Sequence, residues 1–167
     1  VNTFTRHYIA RLLPDGTTDT LFNPGQGPDG TIFAISVQPD GRIIIGGEFT
    51  HVDGVALNHI ARLNADGSLD NTFSPGTGFD GTVYALALQS DGKVVVGGAF
   101  QSFNNYARPG LTRLDSFGNL DLSFLTRQGA NVAVFPLALQ PDGKVLLGGL
   151  FSTFNQTRRV GLARLFS

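Results

Sequence analysis

The sequence predicts an all-β fold assembled from repeated antiparallel units, and three observations carry that prediction. First, Ala10-Arg11-Leu12 returns as Ala61-Arg62-Leu63, Thr112-Arg113-Leu114 and Ala163-Arg164-Leu165, in steps of 51 residues. A fixed period of this size marks a supersecondary unit that cannot bury its apolar faces alone and stacks on copies of itself. Second, twelve positions are unchanged in all three full units: Arg11, Leu12, Gly16, Asp19, Phe22, Gly27, Gln38, Asp40, Gly41, Gly46, Gly47 and Phe49, each with equivalents 51 and 102 residues later. Five of the twelve are glycines, which points to backbone geometry before chemistry. Third, short β-branched and aromatic segments run between them, such as Thr82-Val83-Tyr84-Ala85-Leu86-Ala87-Leu88 and Lys93-Val94-Val95-Val96, and these are strands by composition.

On this register the 167 residues form a single repeat array. The end of one unit (1–9) precedes three full units (10–60, 61–111 and 112–162) and the start of another (163–167). Val1-Asn2-Thr3-Phe4 aligns with the interior stretch Val52-Asp53-Gly54-Val55, and the chain holds no Met. It reads as the ordered or processed part of a longer product.

Each unit carries two turn signals of one type, Gln38-Pro39-Asp40-Gly41 and Asn64-Ala65-Asp66-Gly67. In these a type I turn is followed by a glycine in the left-handed region, and each closes a hairpin. Counting outward from the first turn sets Gln38 opposite Arg42 and Phe33 opposite Gly47, with Tyr84 opposite Gly98 and Phe135 opposite Gly149. An aromatic ring is thus expected over each glycine, where a Cβ would collide with the ring or with the next unit. Counting from the second turn pairs Leu63 with Leu69 and Arg62 with Asp70; the equivalents are Arg11 with Asp19 and Arg113 with Asp121. These twelve Arg, Asp, Gly and aromatic residues are the structural sites the sequence singles out.

Two hairpins per unit make a four-stranded antiparallel meander, and meanders repeated radially are the blades of a β-propeller. About three blades of a larger ring are expected, because known rings take roughly four to eight. Strands apolar on both faces favour blades buried face to face. A β-solenoid of stacked hairpins is the alternative.

Composition removes several function classes. Twelve Lys plus Arg stand against thirteen Asp plus Glu, and only Lys93 and Lys144 are lysines. There is no basic stripe for nucleic acid. No stretch approaches the ~20 apolar residues of a membrane span. No Cys is present, which removes a disulfide framework and Cys-ligated metal and leaves the redox compartment open. Many glycines and few lysines suit a turn-rich β protein on a cell exterior.

The short motifs resolve into structure. Gly46-Gly47-Glu48-Phe49 spells a nucleotide-cyclase signature, but its equivalents Gly97-Gly98-Ala99-Phe100 and Gly148-Gly149-Leu150-Phe151 lack the Glu, and a motif needs its context. Gly25-Gln26-Gly27-Pro28-Asp29-Gly30 and Gly76-Thr77-Gly78-Phe79-Asp80-Gly81 match a dinucleotide pattern that requires a following helix; strands follow here, so these read as flexible loops between blades. Asp66, Ser68 and Asp70 alternate oxygens around Gly67, too few for a calcium loop. His7, His51 and His59 have no spacing that indicates a metal or a triad. Paired carboxylates for glycoside hydrolysis meet in space rather than in sequence, so the sequence leaves them open. Asn155-Gln156-Thr157 is a formal glycosylation sequon.

The recurrent residues Arg62-Leu63, Asp66-Gly67-Ser68-Leu69-Asp70, Phe73, Gln89, Asp91-Gly92-Lys93 and Gly97-Gly98 resemble the delta-60-type repeat of large bacterial secreted or surface proteins, over the whole chain. The third unit departs from that pattern at Phe117, where the other two have Asp. The resemblance implies a β-propeller and supplies no catalytic residues. The expected function is therefore a non-enzymatic extracellular module for protein interaction or adhesion in a bacterial surface or appendage protein, with no cofactor and no metal. It would reach a protein or glycan partner, or itself, through blade loops. The alternatives are a carbohydrate-binding or carbohydrate-cleaving propeller with a site at the ring centre, and an architectural self-assembling subunit.

Overall fold

The computed structural model describes residues 7–166, and the expected alignment of Val1 to Phe4 lies outside them. The first full sheet contains β1 (Ile32–Val37) and β2 (Ile43–Gly47). A small hairpin, β3 (His51–Val52) and β4 (Val55–Ala56), separates them from β5 (Ile60–Leu63). The pattern recurs as β6 (Val83–Leu88), β7 (Val94–Gly98), β8 (Ser102–Phe103), β9 (Tyr106–Ala107) and β10 (Leu111–Leu114). A third copy follows as β11 (Val134–Leu139), β12 (Val145–Gly149), β13 (Thr153–Phe154), β14 (Thr157–Arg158) and β15 (Leu162–Leu165). The main sheets run β1-β2-β5, β6-β7-β10 and β11-β12-β15, all antiparallel. There is no helix among the described residues, and the architecture is that of propeller blades.

The turns form as their sequences require. Gly41 N–H donates to Gln38 O at 2.9 Å with φ +84°, and Gln38 N–H donates to Arg42 O. Gly67 closes the second turn in the same way on Asn64 O. The fourth strand of each meander shrinks to a single bridge, Leu63 to Leu69 and Leu114 to Leu120. Its end has a local cause. The Asp70 and Asp121 carboxylates accept the N–H of Thr72 and Ser123, both at 2.9 Å, and such a side-chain turn bends the chain out of the ladder.

Blades pack face to face. Every residue of β2, β5, β7 and β10 is buried, and alternate side chains enter different cores. Ile43 and Ile45 join Phe22, Phe49 and Val52, while Ile44 joins Val83, Val94, Val96 and Phe100 of the next blade. Val95 and Ala87 in turn join Val134, Val145 and Leu147. The blades converge at one edge, where β6 packs against both β1 and β11; these strands line the axis.

Candidate functional site

The three Arg–Asp pairs form as cross-strand pairs, and the Asp N–H donates to the Arg carbonyl in each. Arg11 Nε lies 2.8 Å from Asp19 Oδ2, Arg62 Nε 2.7 Å from Asp70 Oδ2, and Arg113 Nε 2.9 Å from Asp121 Oδ2. The guanidinium does more than the sequence indicated. Arg62 Nη1 donates to the carbonyl of Ser116 in the next unit at 2.7 Å, and Arg11 Nη1 donates to Ala65 O at 2.5 Å. The arginine therefore latches one blade to the second turn of its neighbour. It also stacks on the repeated phenylalanine, 4.9 Å from the centroids of Phe22 and Phe73 and 4.7 Å from Phe124, a cation–π contact. The repeated glutamine joins this cluster: Gln38 and Gln89 accept from Arg62 and Arg113.

These contacts decide the charge state of the aspartates. Burial alone would raise the Asp70 and Asp121 carboxyls. Hydrogen bonds from Thr72 and Arg62 to the first, and from Ser123 and Lys93 to the second together with the Arg113 charge, outweigh it and hold both below the ordinary range. Folded values below the unfolded ~4 mean that the paired carboxylates stabilise the fold above that pH. The contribution fades as pH falls through the depressed folded values. Thermal midpoints recorded from pH 7 downward should drop below about pH 4, with a shallower drop in Asp121→Asn; a midpoint flat through that window contradicts the assignment.

The expected stacking of Phe33, Tyr84 and Phe135 over Gly47, Gly98 and Gly149 is not what the fold does. Ile32 pairs with Gly47 and Ala34 with Gly46, so Phe33 is the extra residue of a β-bulge. Tyr84 stands in the same place between Val83, which pairs with Gly98, and Ala85. Val134 likewise takes the position opposite Gly149. A bulge puts two residues against one and shifts the inward-facing phase. Val83 and Leu86 thereby both reach the previous blade, where they would meet a Cβ on Gly46 at 2.4 and 3.6 Å. The second glycine of each pair is required by backbone instead: a Cβ there would lie 2.0 Å from Thr31 O, 2.2 Å from Thr82 O and 2.2 Å from Ala133 O at Gly47, Gly98 and Gly149. The aromatics are turned onto one another. Phe33 and Tyr84 ring centroids lie 5.2 Å apart and those of Tyr84 and Phe135 4.9 Å apart, both tilted. Phe33 is 47 % and Phe135 38 % exposed.

The glycine loops, expected to be flexible, are fastened. Gly25, Gly27, Gly76 and Gly78 have positive φ, and each loop bridges the small hairpin beside it, Pro28 to Val52, Phe79 to Phe103 and Ala130 to Phe154. Asp53 accepts Gln26 N–H, Asn104 accepts Gly78 N–H and Asn155 accepts Gly129 N–H. The base of the hairpin is held from the loop: Asp80 Oδ1 accepts Gln101 and Ser102 N–H at 2.8 and 2.9 Å, and Asn131 Oδ1 accepts Ser152 and Thr153 N–H at 3.0 Å each. Asp29 does the same for Thr50 and His51, whose ring Nδ1 lies 3.0 Å from Asp29 Oδ2. Backbone N–H from His51 and the Thr50 donors hold the Asp29 carboxyl far below its ordinary range. Since Asn131 serves where Asp80 does, Asp80→Asn should be near neutral in urea unfolding while Asp80→Ala costs about 1–3 kcal/mol for the acceptor withdrawn from two amides; equal costs for both would contradict this role.

The oxygens weighed for calcium are engaged. Asp66 Oδ1 accepts Ser68 N–H and Oγ–H, and Asp70 faces Arg62. In the third unit, where Phe117 replaces that aspartate, Asp115 takes over by accepting Phe117 and Asn119 N–H at 2.9 Å. No three His, Cys, Asp or Glu gather as a metal site among the described residues.

A family model described as a β-propeller domain of unknown function, DUF5122, matches residues 1–22, 38–73, 89–124 and 140–167. The chain belongs to this β-propeller family. The first three matched segments each contain an Arg–Asp pair, and Phe33, Tyr84 and Phe135 lie outside all four, so the family pattern follows the latch more than the axial aromatics. No curated protein matches the chain.

Proposed function

We propose that this chain is a non-enzymatic interaction module, a set of propeller blades of the delta-60 type displayed on a bacterial surface protein. The observation that supports it is the state of the aspartates. Asp15, Asp19, Asp29, Asp66, Asp70, Asp80, Asp115, Asp121 and Asp142 are all held below the ordinary carboxylate range, by hydrogen bonds that fix turns, hairpins and blade contacts. Glycoside hydrolysis by paired carboxylates needs one carboxyl raised to act as an acid, and these are acceptors spent on architecture. Ligands incubated with the chain should be retained and recovered chemically unchanged. New reducing ends or cleaved peptide accumulating with time would overturn the non-enzymatic reading. Proteolysis of intact host cells should remove the chain's epitope, and protection until lysis would overturn the surface location.

The carbohydrate-binding alternative also has an observation in its favour, the aromatic rings at the axis.

A further inference from the structure

We propose that Phe33, Tyr84 and Phe135 form a stacking track for a neutral glycan chain at the axis of the propeller. This rests on the reading of the chain as a binding module and adds the ligand class and its place.

The first argument is that the blades do not need these rings. Contacts between neighbouring blades are made on the same strands by Val83 and Leu86 against Gly46, and by Val134 and Leu137 against Gly97. The bulge turns the aromatic away from the facing glycines, so that the rings meet one another across the blades. Large apolar side chains outside a core are informative where they are contiguous, because such patches mark binding surfaces. These three are contiguous, with centroids 5.2 and 4.9 Å apart. Tyr84 has a ring on either side and is still only half-buried.

The second argument is shape. Across these three blades one ring per blade, each touching the next, makes a strip. A quaternary ammonium group is recognised by rings arranged around it, and rings packed on one another leave no space for it between them. A strip suits a ligand that is itself a succession of flat units with apolar faces, and linked pyranoses have this form: C–H bonds on the ring faces, hydroxyls at the edges.

The third argument is charge. The axial strands read IFAISV, VYALAL and VFPLAL and contain no Lys or Arg. Stacking of single-stranded nucleic acid needs a cationic groove for its backbone, which these strands do not supply. Glu48, exposed and following Gly47 across from the first bulge, is a carboxylate of the first unit alone, its equivalents being Ala99 and Leu150. With no cation on the three strands to hold an anionic polymer, a neutral, hydroxyl-rich chain is the class that fits.

The test is isothermal titration of the full chain with neutral hexasaccharides of glucose in α and β linkage, of mannose and of N-acetylglucosamine. At least one should bind. Tyr84→Ala and Phe135→Ala should each weaken it by about tenfold or more, the scale of one lost aromatic contact, while Phe33→Tyr leaves it unchanged. Urea midpoints of the Phe135 variant should stay near wild type, because that ring is partly exposed, and this variant serves if Tyr84→Ala folds poorly. Undiminished binding in both alanine variants overturns the proposal. So does an absence of hexasaccharide binding, whether the variants only lose stability, which makes the ladder packing, or lose capture of an aromatic-rich peptide, which gives it a protein ligand. In both of those outcomes the module reading stands. New reducing ends during the titration would defeat that reading instead.

Discussion

Arg62→Ala is expected to lower the unfolding free energy by about 3–5 kcal/mol, the cost of leaving a buried charge without its partner. Arg62 and Asp70 side chains are 2 % and 5 % exposed, so the carboxylate left behind has little access to water. The same substitution removes the hydrogen bond to Ser116 O in the next unit, the bond to Thr72 and the stacking on Phe73. Arg42, 3.5 Å from Asp70 Oδ2, compensates only in part, since its side chain is 40 % exposed and its attraction is partly screened. Arg113→Ala should cost less, both partners being 10 % exposed with Lys93 3.0 Å from Asp121. Arg11→Ala should cost least, with its arginine 40 % exposed. Arg62→Lys should fall between wild type and alanine, because an ammonium keeps the charge but cannot fork between Asp70 and Ser116 while lying on a ring. The double variant Arg62→Ala with Asp70→Ala should recover part of the loss by removing the orphan charge. Urea denaturation reads all of these as midpoint shifts at constant slope. Three losses of equal size, each below about 1 kcal/mol, would class the pairs as surface ion pairs and remove the latch.

The Arg–Asp register was legible because it depends on one tight turn eight residues across, and Asn64-Ala65-Asp66-Gly67 dictates that turn locally. The aromatic–glycine register was not, because it needs the strand to stay regular for several residues past its turn. Regularity breaks at Phe33, where the demands of two blades compete: Val83 and its equivalents must face the preceding sheet, and only a bulge lets them do so together with Leu86. That is a tertiary requirement with no local signature. The small hairpin did leave a signal, Asp53-Gly54 between valines, the strongest short hairpin cue. Its arms are two residues long, below the length at which composition identifies a strand, and Asn104-Asn105 and Asn155-Gln156 fill the same left-handed positions less recognisably. The interblade half of the latch was hidden for a different reason. Arg62 reaches a main-chain carbonyl 54 positions away, and a carbonyl acceptor leaves no mark on residue identity.

Gly98→Val should destabilise by about 3 kcal/mol or more, at or above the upper end of ordinary overpacking. The cause is backbone. A Cβ at Gly98 would lie 2.2 Å from Thr82 O and 2.8 and 3.0 Å from ring atoms of Phe100, and Phe100 is among the most deeply buried side chains. Thr82 O cannot withdraw freely, because it accepts the Ala99 N–H that closes this end of the strand pair. Gly97→Val is the informative neighbour: its Cβ would meet Val134 Cγ1 at 3.0 Å and Leu137 at 3.3 Å. Those are side-chain atoms of the next blade that can shift by a few tenths of an ångström, so its cost should be the smaller. Gly54→Ala separates steric from conformational cost, since nothing lies within 4 Å of its Cβ position and its φ is +76°. It should lose about 1–2 kcal/mol for the left-handed backbone alone. The expected order in urea is therefore Gly98→Val, then Gly98→Ala, then Gly54→Ala. If Gly98→Ala costs no more than Gly54→Ala, the close approach of Thr82 is not what selects glycine at the second position of the pair.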